Sequence, residues 1–198
     1  MDILEIIKRR ASIRKYQDKP VPKEIIDKIL EAGIWGPSVP SFLRIQPWKF
    51  VVIKNRSVIG FLSAILADKA KVSPSGVSLL LKSASAIVGG APLLVAVYNS
   101  GDVEKKKEKY KESFANFASV LPKAELCAIA AAIQNMVLTA DELGIGSCWL
   151  DMPLFCEEEF NRLLGEELAL VAVLTFGYAA EAGKRAARKE YIQAVKVI

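Results

Sequence analysis

Apolar residues recur along this chain at two spacings, and the switches between them predict the order of its elements. Ile3, Leu4, Ile6 and Ile7 make a short amphipathic helix that ends near Arg9-Arg10. Pro20-Val21-Pro22 breaks the chain, and Pro22 suits the opening of a second helix. Ile25, Ile26, Ile29, Leu30 and Ile34 then follow at helical spacing until Gly33, Gly36 and Pro37 end the run. Trp48 to Ile53 reads as a buried strand. Residues 56–70 and 77–89 read as two helices parted by Ser73-Pro74-Ser75-Gly76. Gly89-Gly90-Ala91-Pro92 opens a second strand, Leu93 to Tyr98. Lys123 to Leu143 is apolar nearly all round, with alanines at 124, 128, 130, 131 and 132, and such a helix is normally buried. A third strand from Ile145 to Leu150, a helix from Glu157 to Leu164 and a fourth strand from Leu168 to Phe176 complete the pattern.

Three stretches fit no core element. Residues 38–47 carry Phe42 and Leu43 in an otherwise loop-like run. Residues 99–122 form a polar connection with a helical piece, and contain Tyr110, Phe114 and Phe117. A connection that long suits a lid or an interface element; it equally suits a surface helix whose aromatics pack on the core. The tail, 179–198, is basic and then apolar, with Tyr191, Ile192, Val195, Val197 and Ile198. Little core is left for it within its own domain.

A chain of 198 residues is long enough for one domain with a proper core and short for two. An apolar share of 52% exceeds the usual range slightly, enough to cover a subunit interface. No apolar run approaches the roughly 20 residues that span a bilayer. Met1-Asp2-Ile3-Leu4-Glu5 carries acid where a signal peptide carries base, so the cytoplasm is expected. The net charge of +5 raises the question of nucleic acid. Its bases are scattered or interleaved with acid, as in Glu104-Lys105-Lys106-Lys107-Glu108-Lys109, and aromatic residues do not alternate with them. A basic nucleic-acid-binding module is therefore a weak alternative. Cys127, Cys148 and Cys156 never stand as Cys-x-x-Cys, and the chain has no histidine. Zinc sites, Cys–His pairs and Ser–His hydrolase chemistry are thereby excluded, and the thiols are expected to pack as small apolar residues. Chemistry here must run on carboxylates, lysine or a borrowed cofactor, and flavin chemistry fits that demand.

The candidate chemistry lies in the first fifty residues. Arg9-Arg10-Ala11-Ser12-Ile13-Arg14-Lys15-Tyr16 places three guanidinium forks and a hydroxyl within six residues, a set suited to phosphate. On charge alone the commoner explanation is a solvated basic helix end, favoured by the helix dipole. Its pairing with Pro37-Ser38 and Gln46-Pro47-Trp48-Lys49-Phe50 reverses that judgement. Together these stretches resemble the opening of the FMN-dependent nitroreductase family. The resemblance continues through Gln134-Asn135, Leu143-Gly144-Ile145-Gly146-Ser147-Cys148-Trp149 and Gly177-Tyr178, and so covers nearly the whole chain. Gly144-Ile145-Gly146 is not a dinucleotide fingerprint, since it follows a helix and opens a strand.

The resemblance implies an α+β fold: one domain over 1–198 with a mixed central sheet flanked by helices, paired into an intertwined homodimer. The 123–143 helix would lie at the dimer centre, and residues 179–198 would form a C-terminal arm adding a strand to the partner subunit. It implies bound FMN, with NAD(P)H as a transient co-substrate and a small-molecule electron acceptor such as a nitroaromatic or quinone. The two would react by a ping-pong scheme in which hydride passes through flavin N5. No side chain would be catalytic in the acid–base sense, and no metal, nucleic acid or membrane partner is expected.

Residue by residue, the same resemblance assigns Arg10, Ala11 and Ser12 to the FMN phosphate and ribityl chain, and Arg14 to the pyrimidine edge of the ring. Arg9 is expected to face solvent. Pro37 and Ser38 would cover a flavin from the partner subunit, and Leu150, Asp151 and Met152 would run beside the central ring and offer a backbone N–H. Arg185 and Arg188 are candidates for a second phosphate clamp, with Lys184 and Lys189 as near misses. Two features depart from the family pattern. The 39–45 loop is longer, and Arg44 stands where asparagine is usual, so Phe42, Leu43 and Arg44, with Phe114 and Phe117, become substrate-side candidates. The 60–90 segment offers no match to the family's other ring contacts. A reductive dehalogenase or a flavin-destructase would share the fold, and a flavin carrier or sensor without turnover would share the site.

Overall fold

The computed structural model describes residues 2–39, 44–103, 105 and 120–198. Asp2 starts the first helix by accepting a hydrogen bond from the Leu4 N–H at 3.2 Å, and α1 (Ile3–Arg9) ends where Arg10 turns to extended backbone. Pro22 precedes α2 (Lys23–Ile34), its carbonyl accepting from the N–H groups of Ile25 and Ile26. Then come β1 (Trp48–Ile53), α3 (Arg56–Val72), α4 (Ser75–Gly90) and β2 (Leu93–Asn99). After the connection, α5 (Leu121–Glu142), β3 (Gly146–Leu150), a single 3-10 turn (Met152–Cys156), α6 (Glu157–Leu164), β4 (Ala169–Gly177) and a short α7 (Tyr191–Ala194) follow.

The strands form one sheet in the order β1-β2-β4-β3. β2 is buried on both faces, and its period-2 alternation divides the core between them. Leu94, Ala96 and Tyr98 pack toward α3, α4 and α6. Leu93, Val95 and Val97 pack toward α2 and α5. The register with β4 slips between Val97 and Tyr98, which pair with Ala172 and Leu170, so that Val171 is the extra residue of a bulge. Leu170 therefore faces the first cluster while Ala172 faces the second.

The expected α+β architecture is present, with one correction to the sheet. Its three ladders are all antiparallel. The parallel component is an isolated bridge from Ser12 to Ser147. β3 is an edge strand, and the chain leaving α1 covers that edge without building a ladder on it. α5 is the buried helix that its apolar pattern predicts. By length and composition it could cross a membrane, but Ala128, Ile129, Ala132, Ile133, Met136 and Val137 are buried against the sheet and α2. It is the core helix of the second face. Its outer side leaves Leu126, Cys127 and Gln134 exposed, so Cys127 is not the packed thiol expected, whereas Cys148 and Cys156 are. Phe42, Leu43, Tyr110, Phe114 and Phe117 lie outside the described residues.

Candidate functional site

The site grows from the junction of α1 with the sheet edge. At the end of α1, Arg9 turns away from the candidate cleft: its Nε donates to Asp141 at 2.6 Å, and one Nη donates to the Asp141 carbonyl at 3.0 Å. Arg9 thus clamps α1 to the C-terminal end of α5, a structural duty rather than the solvated position expected. Arg10 then breaks the helix, and the chain after it meets β3 at Ser12 and Ile13. The Ile13 N–H donates to Ser147 O at 2.8 Å, beside the Ser12–Ser147 bridge. Close approach is possible because Gly146 has no side chain; a Cβ there would stand 2.7 Å from Ile13 Cγ1.

Tyr16 locks the segment from below. Its hydroxyl lies 2.7 Å from Ile13 O, to which it donates, and 2.6 Å from Thr175 Oγ1 on β4. Burial pushes the Tyr16 hydroxyl well above its ordinary value, so it remains a donor throughout the neutral range. Cys148 lies behind Ser12. Burial raises its thiol, against the pull of the Arg14 charge, a hydrogen bond from Ser12 and the Arg10 charge.

From β4 the tail returns antiparallel over the same segment. Gln17 N–H donates to Tyr178 O at 2.9 Å, Tyr16 bridges Ala179, and Ala180 N–H donates to Lys15 O at 3.0 Å. Lys15 pairs with Glu181 at 3.0 Å, and Arg185 Nη1 reaches back to Lys8 O at 3.2 Å. The strap and the segment enclose a cleft of about 160 Å³ lined by Arg10, Ala11, Ser12, Arg14, Lys184, Arg185, Ala186 and Arg188. Five of those eight residues are cations and none is an acid. Among the described residues none of the five makes an ion pair. A concentration of like charge without acid is unfavourable by itself, and an anion relieves it. Forked guanidinium donors with a hydroxyl match a phosphate monoester in geometry and charge.

The structure thus brings together Arg10, Ala11, Ser12, Arg14, Arg185 and Arg188, candidates taken from opposite ends of the chain. It adds Lys184 to the lining and leaves Lys189 out. Leu150, Asp151 and Met152 stand at the far end of β3, about 10 Å along the strand from Ser147. Asp151 accepts from Trp149 Nε1 at 2.9 Å. Pro37 and Ser38 follow α2 and do not line this cleft. Arg44 is exposed, with the left-handed φ of 51°, uncommon for a residue with a side chain. Sequence reasoning assigned no role to Tyr16, Gly146 or Gly183. A tyrosine following an arginine cluster, and glycines near an expected edge strand, were the signals at hand.

Fold and cleft together define an α+β protein with an acid-free arginine receptor at the edge of its sheet. A profile of the nitroreductase family matches residues 7–178, and the chain belongs to that family. A relative from Methanothermobacter thermautotrophicus is 35% identical over 185 residues, spanning 91% of this chain and 79% of its own length. It carries the provisional name NADH dehydrogenase/NAD(P)H nitroreductase. A BluB-like flavoprotein from Clostridium difficile 630 superposes with a TM-score of 0.80 at 28% identity, covering 100% of this chain and 99% of that one. A provisionally named nitroreductase from Desulfovibrio desulfuricans, solved in complex with FMN, gives 0.73 at 26% identity and covers 98% of this chain and 95% of that one.

Proposed function

We propose that this chain is an FMN-dependent oxidoreductase of the cytoplasm. It takes reducing equivalents from NADH or NADPH and passes them to a small-molecule acceptor such as a nitroaromatic or a quinone. The observation that carries this reading is the acid-free cleft formed by Arg10, Ser12, Arg14, Lys184, Arg185 and Arg188. Its donors suit the dianionic phosphate of FMN, and relatives across nearly the whole chain are named as NAD(P)H nitroreductases. When bound, FMN supplies the two-electron chemistry that the chain's own side chains lack.

The residues divide the work. Arg10, Ser12, Arg185 and Arg188 hold the phosphate, with Lys184 adding charge, and the Ala11 backbone sets the floor. Arg14 holds a fixed positive charge at the pyrimidine edge, which favours the reduced, more negative state of the cofactor. Leu150, Asp151 and Met152 lie on the ring side, where a backbone N–H orients the central ring. No residue serves as an acid–base catalyst. Pro37 and Ser38 cover the site of a partner subunit in a homodimer. Two apolar surfaces support that assembly: Ile3, Leu4, Ile7 and Trp35 on the α1–α2 side, and Tyr191, Ile192, Val197 and Ile198 in the tail, all of them exposed in the single chain. Because residues 179–185 lie on their own subunit, the arm that crosses to the partner begins beyond Arg188. Phe42, Leu43, Arg44, Phe114 and Phe117 set the acceptor side.

Steady-state oxidation of NADH or NADPH at several concentrations of a quinone and of a nitroaromatic tests the proposal. Parallel double-reciprocal lines are expected, because donor and acceptor occupy the same place in turn. Intersecting lines would contradict the alternating scheme. Retention of flavin without any oxidation of either nucleotide would favour a carrier.

A further inference from the structure

We infer that Gly183 is the positioning residue that closes the cationic cleft and makes it select a phosphorylated flavin; this rests on the FMN reading above. All five cations come from two facing segments, Arg10 and Arg14 on one, Lys184, Arg185 and Arg188 on the other. Their side chains converge only if the strap lies close on residues 11–13. Ordinary hydrogen bonds hold the strap as far as Ala180, and Arg185 reconnects it at Lys8 O. Between those anchors the strap lies close on the segment at Gly183, where an added Cβ would stand 2.5 Å from Ala11 Cβ and 2.9 Å from Ile13 Cδ1.

Real side-chain carbons do not tolerate such a separation, so any residue but glycine must lift the strap. The Ile13 contact is with the end of a side chain, which can turn aside. Ala11 Cβ is fixed to the backbone of a segment pinned by Ser147 and Tyr16. Gly183 is exempt from the usual reason for a glycine, since its φ is not in the left-handed region. The requirement is space, not backbone conformation. Lifting the strap moves Lys184, Arg185 and Arg188 off the anion together, while β3 and the ring-side segment Leu150–Met152 stay as they are. The loss should therefore fall on the phosphate alone.

The experiment compares FMN and riboflavin binding by apoprotein, using flavin fluorescence, for wild type, Gly183→Ala, Ala11→Gly and the double variant. Gly183→Ala should weaken FMN by about tenfold or more, the equivalent of one or more charge-assisted bonds. Riboflavin affinity should change by less than about twofold on the same scale. Removing the Ala11 methyl in the Gly183→Ala background should restore FMN affinity to that of Ala11→Gly alone. FMN affinity unchanged in Gly183→Ala, an equal loss for both flavins, or no recovery in the double variant would each overturn the inference. If riboflavin binds none of the proteins, the recovery by Ala11→Gly decides. A wild type that binds neither flavin would instead remove the FMN reading itself.

Discussion

Replacing Tyr16 with phenylalanine isolates the bond that holds the anion-binding segment to the sheet. The hydroxyl joins Ile13 O at 2.7 Å and Thr175 Oγ1 at 2.6 Å, so the substitution deletes two hydrogen bonds without opening a cavity. Each neutral bond contributes about 1 kcal/mol net, and a buried partner left unpaired raises the loss. Thr175 is fully buried but can turn to Cys148 O, 3.4 Å away. The expected destabilisation is about 2 kcal/mol. For a chain of this length that lowers Tm by about 4–8 °C. Urea denaturation and thermal melting of the apoprotein at pH 7 measure it. FMN affinity should fall in the same variant, because Ser12 and Arg14 flank the released carbonyl. A loss below about 0.5 kcal/mol, the scale of an ordinary surface substitution, would refute this account of the segment.

Four further outcomes follow from the same geometry. Arg10→Ala should weaken FMN about tenfold or more by removing one charged clamp; unchanged flavin stoichiometry and affinity would exclude it from the site. Arg14→Ala should lower the flavin reduction potential more than it weakens binding, and a wild-type potential in dye-equilibration titrations would remove its assigned role. Removing residues 185–198 should give a colourless monomer in size-exclusion chromatography, whereas a flavin-loaded dimer would show that the tail neither clamps nor crosses. Burial, with Glu166 and then Glu157 nearby, pushes Tyr98 up to about 12. Because the unfolded group titrates near 10, its contribution is intact below that pH and declines as pH rises from about 10 to 12. Tyr98→Phe should flatten this alkaline limb of the urea midpoint, and equal slopes would contradict it.

The strands were legible because β2 and β4 are largely buried on both faces and, but for Asn99, β-branched or apolar, and their expected ends lie within a residue of those observed. Glu157–Leu164 was legible from its three leading acids and its single buried Phe160. The antiparallel sheet was not, because strand order and direction depend on pairings between residues far apart in the chain, as in Trp48 with Asn99 or Leu94 with Thr175. Within the site, the cations announced themselves by composition. What positions them did not. Arg9–Asp141, Tyr16–Thr175 and Gly183–Ala11 each join distant stretches, and no local periodicity encodes such pairs. The sequence set Arg9 apart as a solvent-facing cation and gave it no partner. Its bonds to the Asp141 side chain and carbonyl, at 2.6 and 3.0 Å, make it a structural arginine instead.

The most direct test of the central claim is the visible absorption spectrum of the purified protein, recorded before and after NADH or NADPH is added without oxygen. Flavin bands that bleach on addition are the predicted result. A colourless protein that also fails to take up added FMN would contradict the account.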